Sequence, residues 1–111
     1  MGLWIDVSKK THRLKLYDGS ILIKAYPIAV GKMLTPTPNG KYKIINKDEH
    51  PPDVYGPMWM GLSKPTYGVH GTNDPASIGR DMSHGCIRMY NEDILELSSL
   101  VPLDTPINIH E

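Results

Sequence analysis

Cysteine is nearly absent from this chain, which has one, Cys86, in 111 residues. A single cysteine excludes an internal disulfide, so the fold has to rely on its own hydrophobic core. A chain of this length buries roughly two-thirds of its unfolded surface on folding, which is sufficient for one domain. We therefore expect a single domain over residues 1–111. The unpaired thiol indicates either a reducing compartment or a thiol that is kept free for chemistry.

Net charge and long apolar runs are absent as well. Twelve Lys and Arg residues balance twelve Asp and Glu residues. A nucleic-acid-binding domain would show a basic stripe on a cationic surface, so we expect no nucleic acid partner. No apolar run approaches the roughly 20 residues that span a bilayer, and the N-terminus turns polar by Asp6, too early for a secretory signal peptide. We expect no transmembrane segment, no export signal and no additional module.

Apolar residues alternate with period two through much of the chain, a pattern typical of half-buried strands. Residues 46–57 lack any periodicity and are predicted to form a surface loop, a candidate lid. One helix is predicted over about 91–101, where Asn91 is a suitable N-cap and Pro102 a stop. The fold class is therefore mainly β, a β-sandwich or barrel-like domain with one main helix. Strands are predicted over residues 3–7, 14–16, 21–25, 28–30, 42–45, 58–62, 67–70 and 107–109.

Most of the chemistry-bearing residues lie between His70 and Cys86. The segment begins His70-Gly71-Thr72 and, after a polar loop, continues Ser83-His84-Gly85-Cys86-Ile87-Arg88-Met89. Cysteine attacks as its thiolate, and a neighbouring imidazole can act as its base. A glycine directly before the sulfur permits backbone angles that turn N–H groups towards a reacting carbonyl. This pattern predicts a covalent acyl-transfer site.

These motifs resemble one family. The order Thr-Pro-Thr-Pro-Asn-Gly (35–40), Tyr-Gly-Val-His-Gly-Thr (67–72) and Ser-His-Gly-Cys-Ile-Arg-Met (83–89) is similar to that of the L,D-transpeptidase catalytic domain of the YkuD type. The resemblance covers essentially the whole chain and implies a β-sandwich with a helix. It also implies a cysteine acyltransferase that acts on peptidoglycan stem peptides and needs no cofactor or metal.

The resemblance also implies a role for each motif residue. Cys86 corresponds to the nucleophile and His70 to its base, and the backbone carbonyl of Gly71 orients the imidazole. The backbone N–H groups of Gly85 and Cys86 are the candidate oxyanion donors. The remaining motif positions are candidate substrate-binding or supporting residues: Ser83, His84, Arg88 and Tyr67.

In the implied reaction, Cys86 attacks a tetrapeptide stem and releases D-alanine, and an amine of a second stem forms a 3→3 cross-link. With water as acceptor, the same site would be an L,D-carboxypeptidase, a hydrolase. Carbapenem-type β-lactams would acylate the same sulfur. The implied substrate places the protein outside the membrane, at the cell wall or associated with the spore. The sequence leaves open which acceptor is used and what the oligomeric state is.

Other interpretations use the same residues. His70, His84 and Cys86 are all residue types that bind zinc, although the spacing differs from that of a zinc knuckle and no fourth ligand is evident. A catalytically silent wall-binding module would keep the fold without the reaction. A lone cysteine is also commonly a small core residue. Arg88 could equally lie on a solvated strand face, and Trp59 could be a core residue. Neither position would require a function.

Overall fold

A computed structural model describes residues 2–33, 35–83 and 85–111. Nine strands and one α-helix, α1 (Asn91–Leu100), form within these residues. The strands are β1 (Leu3–Ser8), β2 (Arg13–Asp18), β3 (Ile21–Gly31), β4 (Gly40–Asp48), β5 (Trp59–Leu62), β6 (Gly68–His70), β7 (Asp81–Ser83), β8 (Ile87–Met89) and β9 (Pro106–His110). The mainly β fold with one helix confirms the predicted fold class.

The strands close on themselves. They are ordered β2-β1-β9-β4-β5-β6-β8-β3, and β3 also pairs with β2, so these eight strands complete a barrel-like ring. β7 adds to the far end of β3 in parallel. Most neighbours are antiparallel, but β1 with β9 and β6 with β8 are parallel. The β6–β8 pair brings the two halves of the predicted catalytic segment side by side.

Alternate residues of the strands fill one apolar core. Ile5 and Val7 of β1, and Leu14 and Leu16 of β2, are fully buried, as the period-two pattern predicts. Helix α1 covers one side of this core with Ile94 and Leu97. The core also includes Ile28, Ile44, Met60, Val69, Ile87, Met89, Ile107 and Ile109.

The first half of β3 differs from the prediction of two short strands. Residues 21–31 form a single strand, and Ile21, Leu22 and Ile23 are exposed on it. This half pairs only with β2, whereas β8 and β7 join β3 at Ile28 and beyond. The hairpin tip therefore projects past the barrel, where nothing covers its apolar side chains within the described residues.

The predicted cap of α1 is wrong. Tyr90, not Asn91, occupies the N-cap position, and no side chain makes a capping hydrogen bond there. Asn91 is the first helical residue, and its side-chain oxygen accepts a hydrogen bond from the backbone of a distant loop instead. The helix ends at Leu100, one residue before the predicted boundary. Among the described residues, no helix has the length and apolar character needed to cross a bilayer.

The segment predicted as a surface loop, residues 46–57, partly forms regular secondary structure. β4 extends through Asp48, and a 3-10 turn (Asp53–Tyr55) precedes β5. Near the end of β4, the ammonium group of Lys47 donates to the backbone carbonyls of Ser98, at 2.7 Å, and Val101. Carbonyls at the end of a helix have no partner within the helix and bear partial negative charge. Lys47 therefore holds the C-terminal end of α1 against the sheet.

We expect Lys47→Met to lower the free energy of unfolding by about 1–3 kcal/mol, since hydrogen bonds to a charged group are worth roughly that much. Urea denaturation followed by circular dichroism measures the change. Lys41→Met is the matched control, because Lys41 lies exposed on the same strand. Equal losses in the two variants would contradict the bracing role of Lys47.

Candidate active site

Short parallel strands place the predicted nucleophile and base on one face. Val69 pairs with Ile87 and His70 with Arg88 in the β6–β8 ladder. Val69 and Ile87 point into the core, so His70 and Arg88 project to the opposite face. Cys86 lies two residues before Arg88 and shares that face. These side chains meet in a cleft of about 180 Å³ that is lined by Val54, Tyr55, His70, Ser83, Cys86 and Arg88.

The imidazole of His70 is held by the backbone. Its Nδ1 lies 2.5 Å from the carbonyl oxygen of Gly71. A carbonyl oxygen can only accept, so Nδ1 carries the proton and Nε2 keeps a free lone pair. The hydrogen bond that the resemblance implies is thus present in the structure. Its consequence is an imidazole in the tautomer that a general base requires.

Two aromatic side chains enclose the same imidazole. The Trp59 ring stacks on it at 5.4 Å between centroids with an 11° interplanar angle, and Tyr55 meets it edge-on at 4.8 Å. Trp59 occupies this position because it is the β5 residue paired with His70. The sequence predicts a core position for Trp59 and has no local pattern that singles out Tyr55. The sequence predicts strands over 58–62 and 67–70, and a hairpin between these neighbouring strands is the signal that could have placed Trp59 opposite His70.

Burial sets the charge state of His70. The side chain is 3% exposed, and desolvation lowers its pKa to about 4, with a smaller contribution in the same direction from the positive charge of Arg88. The hydrogen bond to Gly71 acts in the opposite direction. His70 is therefore neutral at physiological pH, which leaves Nε2 free to take a proton.

The thiol of Cys86 is also uncharged at rest. Cys86 is half-buried, and desolvation raises its pKa, whereas a hydrogen bond from the Gly68 backbone and the charge of Arg88 lower it. Its sulfur lies 3.7 Å from the carbonyl oxygen of Thr66, to which the thiol donates. The resting pair is therefore a thiol and a neutral imidazole, not a preformed thiolate and imidazolium.

Ser83 shapes the turn that carries the sulfur. Its hydroxyl donates to the Cys86 carbonyl at 2.5 Å and accepts from the Gly85 N–H at 3.1 Å. Because the Gly85 N–H is engaged there, the predicted oxyanion role of this group does not fit this conformation. Ser83 is 1% exposed, so it supports the turn although it borders the cleft. The Cys86 N–H stays the predicted oxyanion donor.

Gly85 is required by both its backbone and its surroundings. Its φ is +118°, a region that side chains disfavour. A Cβ at this position would lie 2.6 Å from Cε1 of Tyr67. Tyr67 therefore packs beneath the turn and is not among the residues that line the described cleft, so its place beside the substrate stays a prediction.

The other predicted residues have different outcomes. Arg88 is half-buried, lines the cleft and acts on the charge of both His70 and Cys86, so a fully solvated position is excluded. His84 lies outside the described residues. In the described part of the chain, no group of three His, Cys, Asp or Glu side chains is placed to hold a metal ion. The zinc alternative includes His84 and thus is not tested by the structure.

Known proteins are similar to this chain in sequence and in fold. Residues 2–109 match the YkuD family model, described as the L,D-transpeptidase catalytic domain. The chain is 51% identical over 105 residues to a Bacillus licheniformis protein named "Putative L,D-transpeptidase YkuD", covering 95% of this chain and 64% of that protein. The chain thus spans a little less than two-thirds of the length of this curated relative.

Two solved structures are similar. The NMR structure of the catalytic domain from the Enterococcus faecium L,D-transpeptidase superposes with a TM-score of 0.83 at 25% identity, and the match covers 97% of this chain and 96% of that one. The Ldtfm-avibactam carbamoyl enzyme superposes with a TM-score of 0.87 at 25% identity, covering 100% of this chain and 49% of that one. Both structures support the barrel-like fold described above.

We expect the His70 ring to titrate near pH 4, since burial opposes its charging. His110 is an internal control: its hydrogen bond to Asp6 raises its pKa above the ordinary value of 6.5. Ring-proton chemical shifts followed against pH by NMR measure both, and His110→Gln assigns the control signal. A His70 midpoint at or above 6.5 would disprove the uncharged resting state.

Proposed function

Because the chain belongs to the YkuD family of L,D-transpeptidase catalytic domains, we propose that it is a cysteine acyltransferase that forms 3→3 cross-links between peptidoglycan stem peptides. The observation that carries this proposal is the shared cleft of Cys86 and a neutral His70 whose Nδ1–H is bound to the Gly71 carbonyl. This arrangement supplies a nucleophile and a base of fixed tautomer. The Gly71 carbonyl takes the place of the carboxylate in a Ser-His-Asp triad.

The first half of the proposed reaction forms an acyl-enzyme. On substrate binding, the Cys86 thiol turns from the Thr66 carbonyl to His70 and transfers its proton to Nε2. The sulfur attacks the carbonyl carbon of the third stem residue and forms a C–S bond. Imidazolium then protonates the nitrogen of the terminal D-alanine, the C–N bond breaks and D-alanine leaves. The Cys86 N–H would stabilise the oxyanion, an interaction typically worth about 100- to 1,000-fold in rate.

The second half transfers the acyl group. A side-chain amine of a second stem attacks the thioester carbonyl, and His70, neutral again, accepts its proton. The new C–N bond forms, the C–S bond breaks, and the sulfur takes back a proton. Water in place of the amine would give the trimmed tripeptide, so the acceptor alone distinguishes the transpeptidase from the carboxypeptidase.

Arg88 acts electrostatically on both partners of the proposed proton transfer. Its positive charge favours the thiolate and so lowers the pKa of Cys86, and it disfavours the imidazolium and so lowers the pKa of His70. We propose that the same guanidinium pairs with a carboxylate of the stem peptide, since a guanidinium can bind a carboxylate through two hydrogen bonds. Substrate binding would then partly neutralise Arg88, which would ease protonation of His70 and also weaken the stabilisation of the thiolate.

The proposed substrate also suggests an inhibitor class and a location. The avibactam carbamoyl enzyme is a 25% identical structure of the same fold, which supports acylation of Cys86 by β-lactams and related compounds. Carbapenems are the class that we propose to bind. Peptidoglycan lies outside the membrane, so we propose that the protein acts at the cell wall or in the spore.

We expect Cys86→Ala to form no covalent adduct with a carbapenem such as imipenem. His70→Ala should acylate about 100- to 10,000-fold more slowly, the usual contribution of a general base. Intact-mass spectrometry against time measures both rates. His110→Ala serves as the control, because His110 lies on β9 and does not line the cleft. An unmodified wild-type protein would favour the silent wall-binding module, and a His70 variant with an unchanged rate would remove this residue from the mechanism.

Incubation with a tetrapeptide muropeptide tests the reaction itself. We expect a cross-linked dimer together with free D-alanine, because release of D-alanine leaves a thioester that the amine of a second stem attacks. Mass spectrometry of the products distinguishes the dimer from the trimmed tripeptide. A tripeptide without any dimer would assign the carboxypeptidase activity, and no reaction by a protein that imipenem acylates would argue against this donor.

A further inference from the structure

We propose that Asn91 is a positioning residue for the reaction, holding the one peptide group whose carbonyl orients His70. The proposal rests on the proposed function, because it assigns Asn91 a role in the proton transfer from Cys86. It concerns the side chain that the helix pattern predicts as a cap and that the structure directs elsewhere.

A single peptide group links Asn91 to the imidazole. The Gly71 carbonyl accepts from His70 Nδ1 at 2.5 Å, and the Thr72 N–H donates to Asn91 Oδ1 at 2.8 Å. This carbonyl and this N–H belong to the same peptide bond, which is planar. The two hydrogen bonds therefore leave opposite edges of one rigid unit. Fixing the N–H at Asn91 fixes the direction in which the carbonyl meets the imidazole.

The same alignment polarises the peptide. Acceptance of the N–H by an amide oxygen increases the negative charge on the carbonyl oxygen at the other edge, and hydrogen bonds in series strengthen one another. The carbonyl then stabilises the positive charge that His70 acquires when it takes the Cys86 proton. A buried carboxylate performs this service in a Ser-His-Asp triad, and here the peptide with Asn91 behind it takes its place.

Two glycines make room for the Asn91 oxygen. A Cβ on Gly56 would lie 2.5 Å from Asn91 Oδ1, and a Cβ on Gly71 would also collide with this oxygen. Gly56 ends the 3-10 turn that supplies Val54 and Tyr55 to the cleft wall. Asn91 therefore sits where the start of α1, the loop after His70 and the base of the cleft wall meet.

The helix does not need this side chain. No side-chain capping bond forms at the N-terminus of α1, and the Asp93 and Ile94 N–H groups donate to the Tyr90 carbonyl. The hydrogen bond from Thr72 spans 19 residues of sequence, so it contributes to the geometry of the loop and not to the helix. Removing the acceptor should therefore affect His70 more than it affects folding.

The test compares Asn91→Leu, which has a similar size and no acceptor, with Asn91→Asp, which keeps one. We expect Asn91→Leu to slow acylation of Cys86 by imipenem about 10- to 100-fold, as misplacement of a catalytic group does. The half-saturating imipenem concentration should not change, because Asn91 does not line the cleft. Asn91→Asp should retain most of the rate and move the acid limb of the pH profile upwards, since a negative charge favours the imidazolium.

A second measurement does not depend on catalysis. Long-range ¹H–¹⁵N NMR spectra report which ring nitrogen of His70 carries the proton. We expect Nδ1–H alone in the wild-type protein and in Asn91→Asp, and a mixture of tautomers in Asn91→Leu. Glu92→Leu is the matched control, because Glu92 is the next, exposed residue of the helix. Circular dichroism establishes that each variant is folded.

Each outcome decides the proposal. A folded Asn91→Leu with the wild-type rate and the wild-type tautomer would overturn it, as would an equal slowing in Glu92→Leu. If Asn91→Leu does not fold, a wild-type rate and an unshifted acid limb in Asn91→Asp would overturn it, and a shifted limb would support it. If imipenem acylates none of the proteins, the proposed function fails, and the tautomers still test the contact from Asn91 to the imidazole.

Discussion

The pairing of β6 with β8 is the contact on which the candidate site depends. It is only two residue pairs long, yet it sets the level of His70 relative to the segment that begins at Cys86. The two strands are parallel, so they cannot be joined by a tight hairpin and require a crossover connection. Here the connection runs through the loop after His70 and through β7. The polar stretch between the two motifs is therefore the chain length that this geometry needs.

The ring of strands makes so short a pair stable. Val69 and Ile87 are fully buried in the common core, and each flanking strand is itself paired on its other side. A shift of one residue in either strand would turn these side chains outwards and bring His70 or Arg88 into the core. The cost of exposing Val69 and Ile87 and of placing polar groups in the apolar core without their partners fixes the register. Core packing and site geometry thus depend on the same register, because alternate residues of these two strands enter the core and the cleft.

The site combines groups that favour opposite protonation states. Burial favours an uncharged thiol and an uncharged imidazole, which leaves both without charge before substrate arrives. Arg88 favours the thiolate, and the Gly71 carbonyl favours the imidazolium. The structure therefore holds the partners for both charges that proton transfer creates. In the proposed reaction these partners offset part of the cost of creating the charges, because electrostatic interactions are stronger in a partly buried cleft than in water.

Local patterns predicted much of this fold. Alternation along β1 and β2 gave the buried face correctly, since a strand that borders one core needs only its own sequence to specify its inward residues. The motif around Cys86 likewise identified the cleft, because its chemistry is written in consecutive residues. The exposure of Ile21 and Ile23 was not predictable, since it depends on where β8 stops pairing with β3. The apolar pattern of one strand does not show how long its neighbouring strand is, and so does not show which of its residues that neighbour covers.

The residues that support the site are likewise not predictable from local patterns. Trp59 and Tyr55 reach His70 across a strand pair and a turn, and Asn91 reaches the loop after it from a helix. Each of these contacts depends on tertiary geometry, and each residue also has an ordinary local explanation. Asn91 is the sharpest case, because a polar residue before an apolar helical face is a standard capping signal. Its side chain has one strong acceptor oxygen, and in the fold the Thr72 N–H donates its hydrogen bond to that oxygen. The residues that we propose to carry the reaction can thus be identified in the sequence, whereas the residues that contact and support them are set by how the barrel closes.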